Sequence, residues 1–197
     1  FIKTSFDLDK RNQPFQTSKG YRSRYILDLP VISDTNTLTN HFDYKVYTQL
    51  FDQNVTSASF FFKAAKSITN EDIKLTERLF IPSRNLRGFE RGKIGPMDGN
   101  DFIGGNFVSA VNLSTSLPQV LENVQNMDVV LFFDAANVWG VDYDSSLDDG
   151  NKIRSSTGVV AGWISPIGPM SFVFSKNISK ASTDVTESFN FNLGTTF

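Results

Sequence analysis

The sequence predicts an all-β fold, an antiparallel transmembrane β-barrel of about eight strands. Three observations point there. Apolar and polar side chains alternate with a period of two along most of the chain, while the helical period is nearly absent. The connections alternate between short turns and long polar loops, the asymmetry of outer-membrane barrels. The last segment, Phe189 to Phe197, alternates up to a terminal aromatic residue. We read the 197 residues as one barrel or half-barrel domain, with a long external loop at about 69–103.

The elements follow in order. A short leading strand is expected around Ser5 to Asp9. In the next, Tyr21, Tyr25, Leu27 and Leu29 oppose Arg22, Arg24 and Asp28. From Leu38 to Phe51 the alternation is cleanest: Phe42, Tyr44 and Val46 share one face, and His41, Asp43 and Lys45 the other. Ala58, Phe60 and Phe62 then oppose Ser57, Ser59 and Lys63. Beyond the long loop, Phe107, Val111 and Leu113 oppose Asn106, Asn112 and Ser114. Val129, Leu131 and Phe133 oppose Asp128 and Asp134. Val159, Ala161 and Trp163 oppose Ser156, Gly158 and Gly162, and Phe172 and Phe174 oppose Ser171 and Ser175. The final strand is expected from roughly Glu187 to Phe197. Taken alone, such strands also suit a sandwich or soluble barrel with its wet face towards solvent.

Composition removes several function classes. No cysteine means no disulfide framework, thiol nucleophile or cysteine metal site. The single histidine, His41, leaves little for a zinc site or a histidine-based triad. A net charge of -2 gives no electrostatic case for nucleic acid. No apolar run reaches the length of a transmembrane helix, which does not bear on a barrel. The chain starts at Phe1 without a signal segment, and we expect a fragment or processed chain. Nineteen phenylalanines suit either a soluble core or a lipid-facing band.

Few residues suggest chemistry. Arg87 stands in Arg87-Gly88-Phe89, where Gly88 permits a sharp turn and Phe89 can anchor the tip. It is either a solvated arginine or one carried into the lumen to pair with a carboxylate. Asp134 is a candidate partner, on the polar face of its strand by parity and inside the apolar run Leu131 to Trp139. Gly104-Gly105-Asn106 is followed by no helix and reads as the start of a strand with close backbone approach, not a phosphate loop. Asp142, Asp144, Ser146 and Asp148 sit at alternate positions, yet Leu147 and Ile153 stand where a calcium hand needs glycine and glutamate. No metal site, cofactor or enzyme constellation is expected.

In this order the pieces resemble BamA-type proteins, the outer-membrane assembly and two-partner secretion superfamily, in the second half of their barrel. The matching residues are Asp9 to Asn12 with Pro14-Phe15 and Lys19-Gly20; Asn85-Leu86-Arg87-Gly88-Phe89 with Ile94-Gly95-Pro96; Gly104-Gly105-Asn106; Phe133-Asp134-Ala135; Val138-Trp139; Ile153 to Gly158; Ser165 to Pro169; and Gly194 to Phe197. The resemblance covers essentially the whole chain.

The resemblance implies a sixteen-strand family barrel of which this chain supplies about the last eight. It implies that Leu86, Arg87, Gly88 and Phe89 form a loop anchor held in the lumen by Phe132 and Asp134. It implies that the last strand, with Phe189, Phe191, Gly194 and Phe197, flanks a lateral seam to which client strands add. Gly194 would be the point of inward kinking, and Phe197 the signal by which barrels are recognised for insertion. One departure is Ser114, standing where the family often has an inward glutamate. Expected partners are the lipid bilayer and unfolded outer-membrane clients. The chain would be completed by N-terminal periplasmic domains and another barrel half, or by a second copy. The expected function is insertion of outer-membrane proteins by strand templating. A two-partner secretion pore with the Arg87 loop as plug is an alternative, and a soluble barrel binding a small apolar ligand is another of a different class.

Overall fold

The computed structural model describes residues 2–31, 36–69, 71–118, 127–150, 152–165 and 168–194. A nine-stranded antiparallel sheet dominates it. The strands are β1 (Ile2–Asp9), β2 (Gly20–Leu29), β3 (Thr37–Thr48), β4 (Thr56–Ser67), β7 (Phe107–Ser116), β8 (Met127–Trp139), β9 (Arg154–Ser165), β10 (Gly168–Ser179) and β11 (Phe189–Leu193). Each pairs with its neighbour in that order, so the sheet is a meander. A small hairpin, β5 (Met97–Asp98) and β6 (Asp101–Phe102), lies in the long β4–β7 connection. These nine strands are the eight strong alternating segments and the short leading one. The sheet is open among the described residues: β1 and β11 each have a single strand neighbour.

The registers put the polar sets of successive strands on one face. Asp7 stands opposite Arg24, which stands opposite Asp43. Asn112 stands opposite Asp134, which stands opposite Ser156. The long connection packs on this inner face. Loop residues Ile73, Leu79, Ile81, Leu86, Phe89 and Ile94 bury themselves against Phe61, Ala65, Val108, Ala110, Ala136 and Val138 of β4, β7 and β8. Each large apolar side chain so buried contributes about 1.5–3 kcal/mol. The core of this protein is therefore loop against wall.

The other face has no covering layer among the described residues. Phe60, Phe107, Val111, Leu113, Leu131, Phe133, Phe174, Phe189 and Phe191 are all exposed on it. Aromatic pairs cross the strands there, with Phe172 and Phe191 ring centroids 5.2 Å apart and Phe174 and Phe189 also 5.2 Å apart. An apolar band of this extent belongs in a bilayer. No described helix is long and apolar enough to cross a membrane.

Two expectations about strand ends are corrected. The run from Leu38 leaves the sheet after Thr48, because Leu50 and Phe51 enter a turn closed by Asn54 N–H to Phe51 C=O, with Gln53 in the left-handed region at φ 57°. The last strand begins at Phe189 rather than Glu187, because the backbone of 185–187 bonds to the long loop. Phe197 lies outside the described residues, as do Pro166 and Ile167.

Close approach explains the glycines where β7 begins. Leu79 and Gly105 exchange N–H···O bonds of 2.8 and 2.9 Å, fastening the loop to the wall. A Cβ on Gly105 would lie 2.3 Å from the Trp139 carbonyl oxygen. Its neighbour Gly104 takes φ 69°, the conformation that glycine adopts without penalty.

Candidate functional site: the Arg87 cradle and the edge of the last strand

A 3-10 turn at Ser83–Asn85 delivers the loop tip to the inner wall. Leu86 is buried beside it, and Arg87 then reaches across β8. Its Nε lies 2.7 Å from one Asp134 oxygen, and a terminal guanidinium nitrogen lies 2.7 Å from the other. The backbone N–H of Arg87 also donates to Asp134 at 3.0 Å. This is a forked, charge-assisted pair. Asp134 has no exposed surface and the Arg87 side chain keeps 19%. Asn112 donates to Asp134 at 2.8 Å and to the Asn85 carbonyl at 2.8 Å, tying the carboxylate to the loop. Ser114, in place of an acid, lies 3.5 Å from the Arg87 guanidinium.

Beneath the guanidinium lies Phe132, its ring centroid 3.8 Å from the Arg87 Cζ. The cation meets the negative face of the ring, a contact of about 0.5–2 kcal/mol. Gly158 makes room for that ring, since a Cβ there would come within 2.8 Å of Phe132 Cζ. The structure thus brings Arg87, Phe132 and Asp134 together.

The next residue turns the loop back. Gly88 has φ 87°, and a Cβ on it would meet Ser175 Oγ at 3.0 Å and Ser156 Cβ at 3.3 Å. Ser156 donates to the Arg87 carbonyl at 2.5 Å, and Asn177 donates to the Gly88 carbonyl at 2.8 Å. Phe89 is buried and forms an isolated antiparallel bridge with Thr186. The tip therefore touches β8, β9, β10 and the segment leading into β11.

Phe189, Phe191 and Leu193 stand on the outer face of β11, with Asn190 and Asn192 on the inner. Gly194 takes φ 78° and donates its N–H to the Pro169 carbonyl at 2.8 Å. Gly104 and Gly105 lie at the other end of the long loop, where it rejoins β7.

Two further arginines escaped the sequence reading. Arg154, fully buried, bonds Asp184 at 3.0 Å and also Asp149 and Asn137, so it ties β8, β9, the 140–153 loop and the 180–188 loop together. Arg78, also buried, pairs with Asp142 and joins the long loop to the β8–β9 loop. Even parity of Arg154 with Ser156 was a signal available for the first; nothing local marked the second. Burial pushes the Asp149 carboxyl up, but bonds from Lys152 and Arg154 outweigh it and hold it below the usual carboxylate value. Asp142 behaves likewise, burial being outweighed by the Ile73 N–H and Arg78. Asp148 accepts from the Gly140 and Gly150 N–H groups and Asp144 from that of Ser146, so these acids serve turns.

The chain resembles known proteins throughout. A family profile described as "Omp85 superfamily domain" matches residues 1–197. The outer membrane protein assembly factor BamA of Neisseria meningitidis is 31% identical over 140 residues, 57% of this chain and 18% of the relative. That of Neorickettsia risticii is 24% identical across 100% of this chain and 27% of its own length. The chain thus spans about a quarter or less of these curated relatives. A crystal structure of BamA from Haemophilus ducreyi lacking POTRA domains 1-3 superposes with TM-score 0.85 at 24% identity, over 96% of this chain and 41% of that one. With its fold that of a BamA barrel and its family profile running from end to end, the chain belongs to the Omp85 superfamily and is a bacterial outer-membrane protein.

Proposed function

We propose that the parent protein inserts and folds other outer-membrane proteins through a lateral seam flanked by β11. The carrying observation is the contrast between the two sides of the last hairpin. β9 and β10 pair over nearly their full length, whereas among the described residues β11 pairs over five, Phe189 to Leu193, and is followed by a positive-φ glycine. A short strand of this kind is weakly held, and its free edge suits β-augmentation by a client strand. Its outer residues are apolar and its inner ones asparagine, so an arriving membrane strand of the same alternation continues both faces. The Arg87 cradle holds the loop that braces the wall beside this edge. No covalent step, cofactor or nucleotide enters the mechanism. The clients are unfolded outer-membrane proteins, and the periplasmic domains and the remaining barrel half complete the machine.

The full-length parent in lipid vesicles tests this. Given a urea-unfolded eight-stranded barrel as client, it should speed appearance of the heat-modifiable folded form without ATP. Client-dependent conductance with no gain in folded barrel would overturn the reading in favour of a secretion pore plugged by the loop. A parent that stays folded and monodisperse without lipid or detergent would overturn both.

A further inference from the structure

The long loop does more than sit on the wall: it completes a ladder. Glu90 N–H donates to the Val185 carbonyl at 3.0 Å, Glu187 N–H to the Gly88 carbonyl at 3.0 Å, and Val185 N–H to the Lys93 carbonyl at 3.0 Å. The first two flank the Phe89–Thr186 bridge, so Gly88–Glu90 runs antiparallel to 185–187, and the turn closed by Lys93 N–H to the Glu90 carbonyl brings the Lys93 carbonyl to Val185. The opposite side of this segment belongs to β10, where Ser175 N–H donates to the Ser188 carbonyl at 2.9 Å and Ser175 Oγ to that of Glu187 at 2.9 Å.

The direction of these bonds matters. Ser188 and Gly194 bond to β10, and the residues between them pair with β10 in an unbroken register. In an antiparallel ladder the backbone groups of alternate residues point to opposite sides. Those of Phe189, Phe191 and Leu193 therefore point to the seam side, as do both backbone groups of Val185 and the N–H of Glu187. The loop occupies that same edge, immediately before the stretch that is left open.

We infer that Gly88–Lys93 is the stop of the seam edge: it takes the N–H and the carbonyl of Val185 and the N–H of Glu187, so a client strand can pair only from Phe189 onward. This rests on the seam reading above. The partner is an amphipathic β-strand of an unfolded outer-membrane protein, because only an apolar-outside, polar-inside strand continues the faces of β11. Gly88 and Asn177 are positioning residues. The first lets the loop lie against Ser175 and Ser156, and the second holds the Gly88 carbonyl at 2.8 Å. The loop thereby sets where a client strand starts, and with it the client's register.

The test uses the full-length parent in lipid vesicles and has two arms. Hydrogen exchange reads the Val185 and Glu187 amides. They should be protected in the parent, and should exchange roughly tenfold faster in Gly88→Val or Asn177→Ala. The second variant removes one side-chain bond and keeps the test decisive if the first fails to insert. Fast exchange in the parent overturns the inference. The second arm presents synthetic peptides of the sequence of residues 189–197, with a benzophenone replacing successive residues. Cross-links should fall on Phe189, Phe191 and Leu193, and should spread to Glu187 and Val185 when the loop is loosened. Cross-links to Val185 in the parent, or one map shared by parent and variants, overturn the inference. Protected amides with no cross-link anywhere on the edge sink the seam reading and with it the role of the stop, while leaving the loop ladder as structure.

Discussion

Arg154 Nε lies 3.0 Å from Asp184 Oδ2, and neither side chain exposes any surface. Asp149 completes the cluster from a second loop. Removing the cation leaves the Asp184 carboxylate buried without a cationic partner and Asp149 with Lys152 alone. Arg154→Met should therefore destabilise the outer loops by about 3–5 kcal/mol. Limited proteolysis should show new cuts within 140–153 and 180–188 while the strands stay protected. Arg154→Lys should not restore protection, since an ammonium lacks the planar fork that reaches Asp184, Asp149 and Asn137 together.

Arg87→Ala should raise protease sensitivity within 69–103 and leave strand pairing largely intact. The charge reversal Asp134→Arg should produce the same pattern. Because each change breaks the same bonds, the double variant should fall short of the sum by about 1–3 kcal/mol. Digestion patterns identical to the parent would mean that the pair contributes nothing to loop docking.

A single methyl group tests the loop's other attachment. Gly105→Ala would place Cβ 2.3 Å from the Trp139 carbonyl oxygen, a backbone atom that cannot swing away. Strand β7 must then shift against β8, at about 1–3 kcal/mol. Thermal unfolding in detergent should report the loss. Gly99→Ala, with no atom within 4 Å of its Cβ, is the control and should show only the smaller strain of its positive φ.

Acid should loosen the outer loops. The folded-state values of Asp142 and Asp149 lie below the usual carboxylate value. Their contribution is thus fully present above the unfolded value, about 3.9, and is lost as pH falls through the lowered folded values. Proteolysis of the loops should be flat from pH 7 to about pH 5 and should rise below about pH 4.

Alternation made the sheet legible because a membrane strand must present two solvents on its two faces. It placed Asn112, Ser114 and Asp134 on one face, and the register has Asn112 beside Asp134. The contact of Arg87 with Phe132 followed from resemblance alone, since no period runs through a loop. Arg78 was invisible for the same reason, its partner lying 64 residues away; parity puts Arg154 on the inner face, but Asp184 lies 30 residues away across a connection whose path no local pattern dictates. The start of β11 was misplaced by two residues because Glu187 alternates correctly but gives its N–H to the loop.

Every ladder of the nine-stranded sheet but β4–β7 joins consecutive strands and can form hairpin by hairpin. The loop contacts cannot. Arg87 meets Asp134 47 residues on, Ser156 69 residues on, and Gly88 meets Asn177 89 residues on. Loop closure over such distances is slow and gains nothing until the wall exists. Docking of Arg87 therefore comes late in this chain's own folding, after β8, β9 and β10 are aligned, and a docked loop certifies that the wall beneath it is finished.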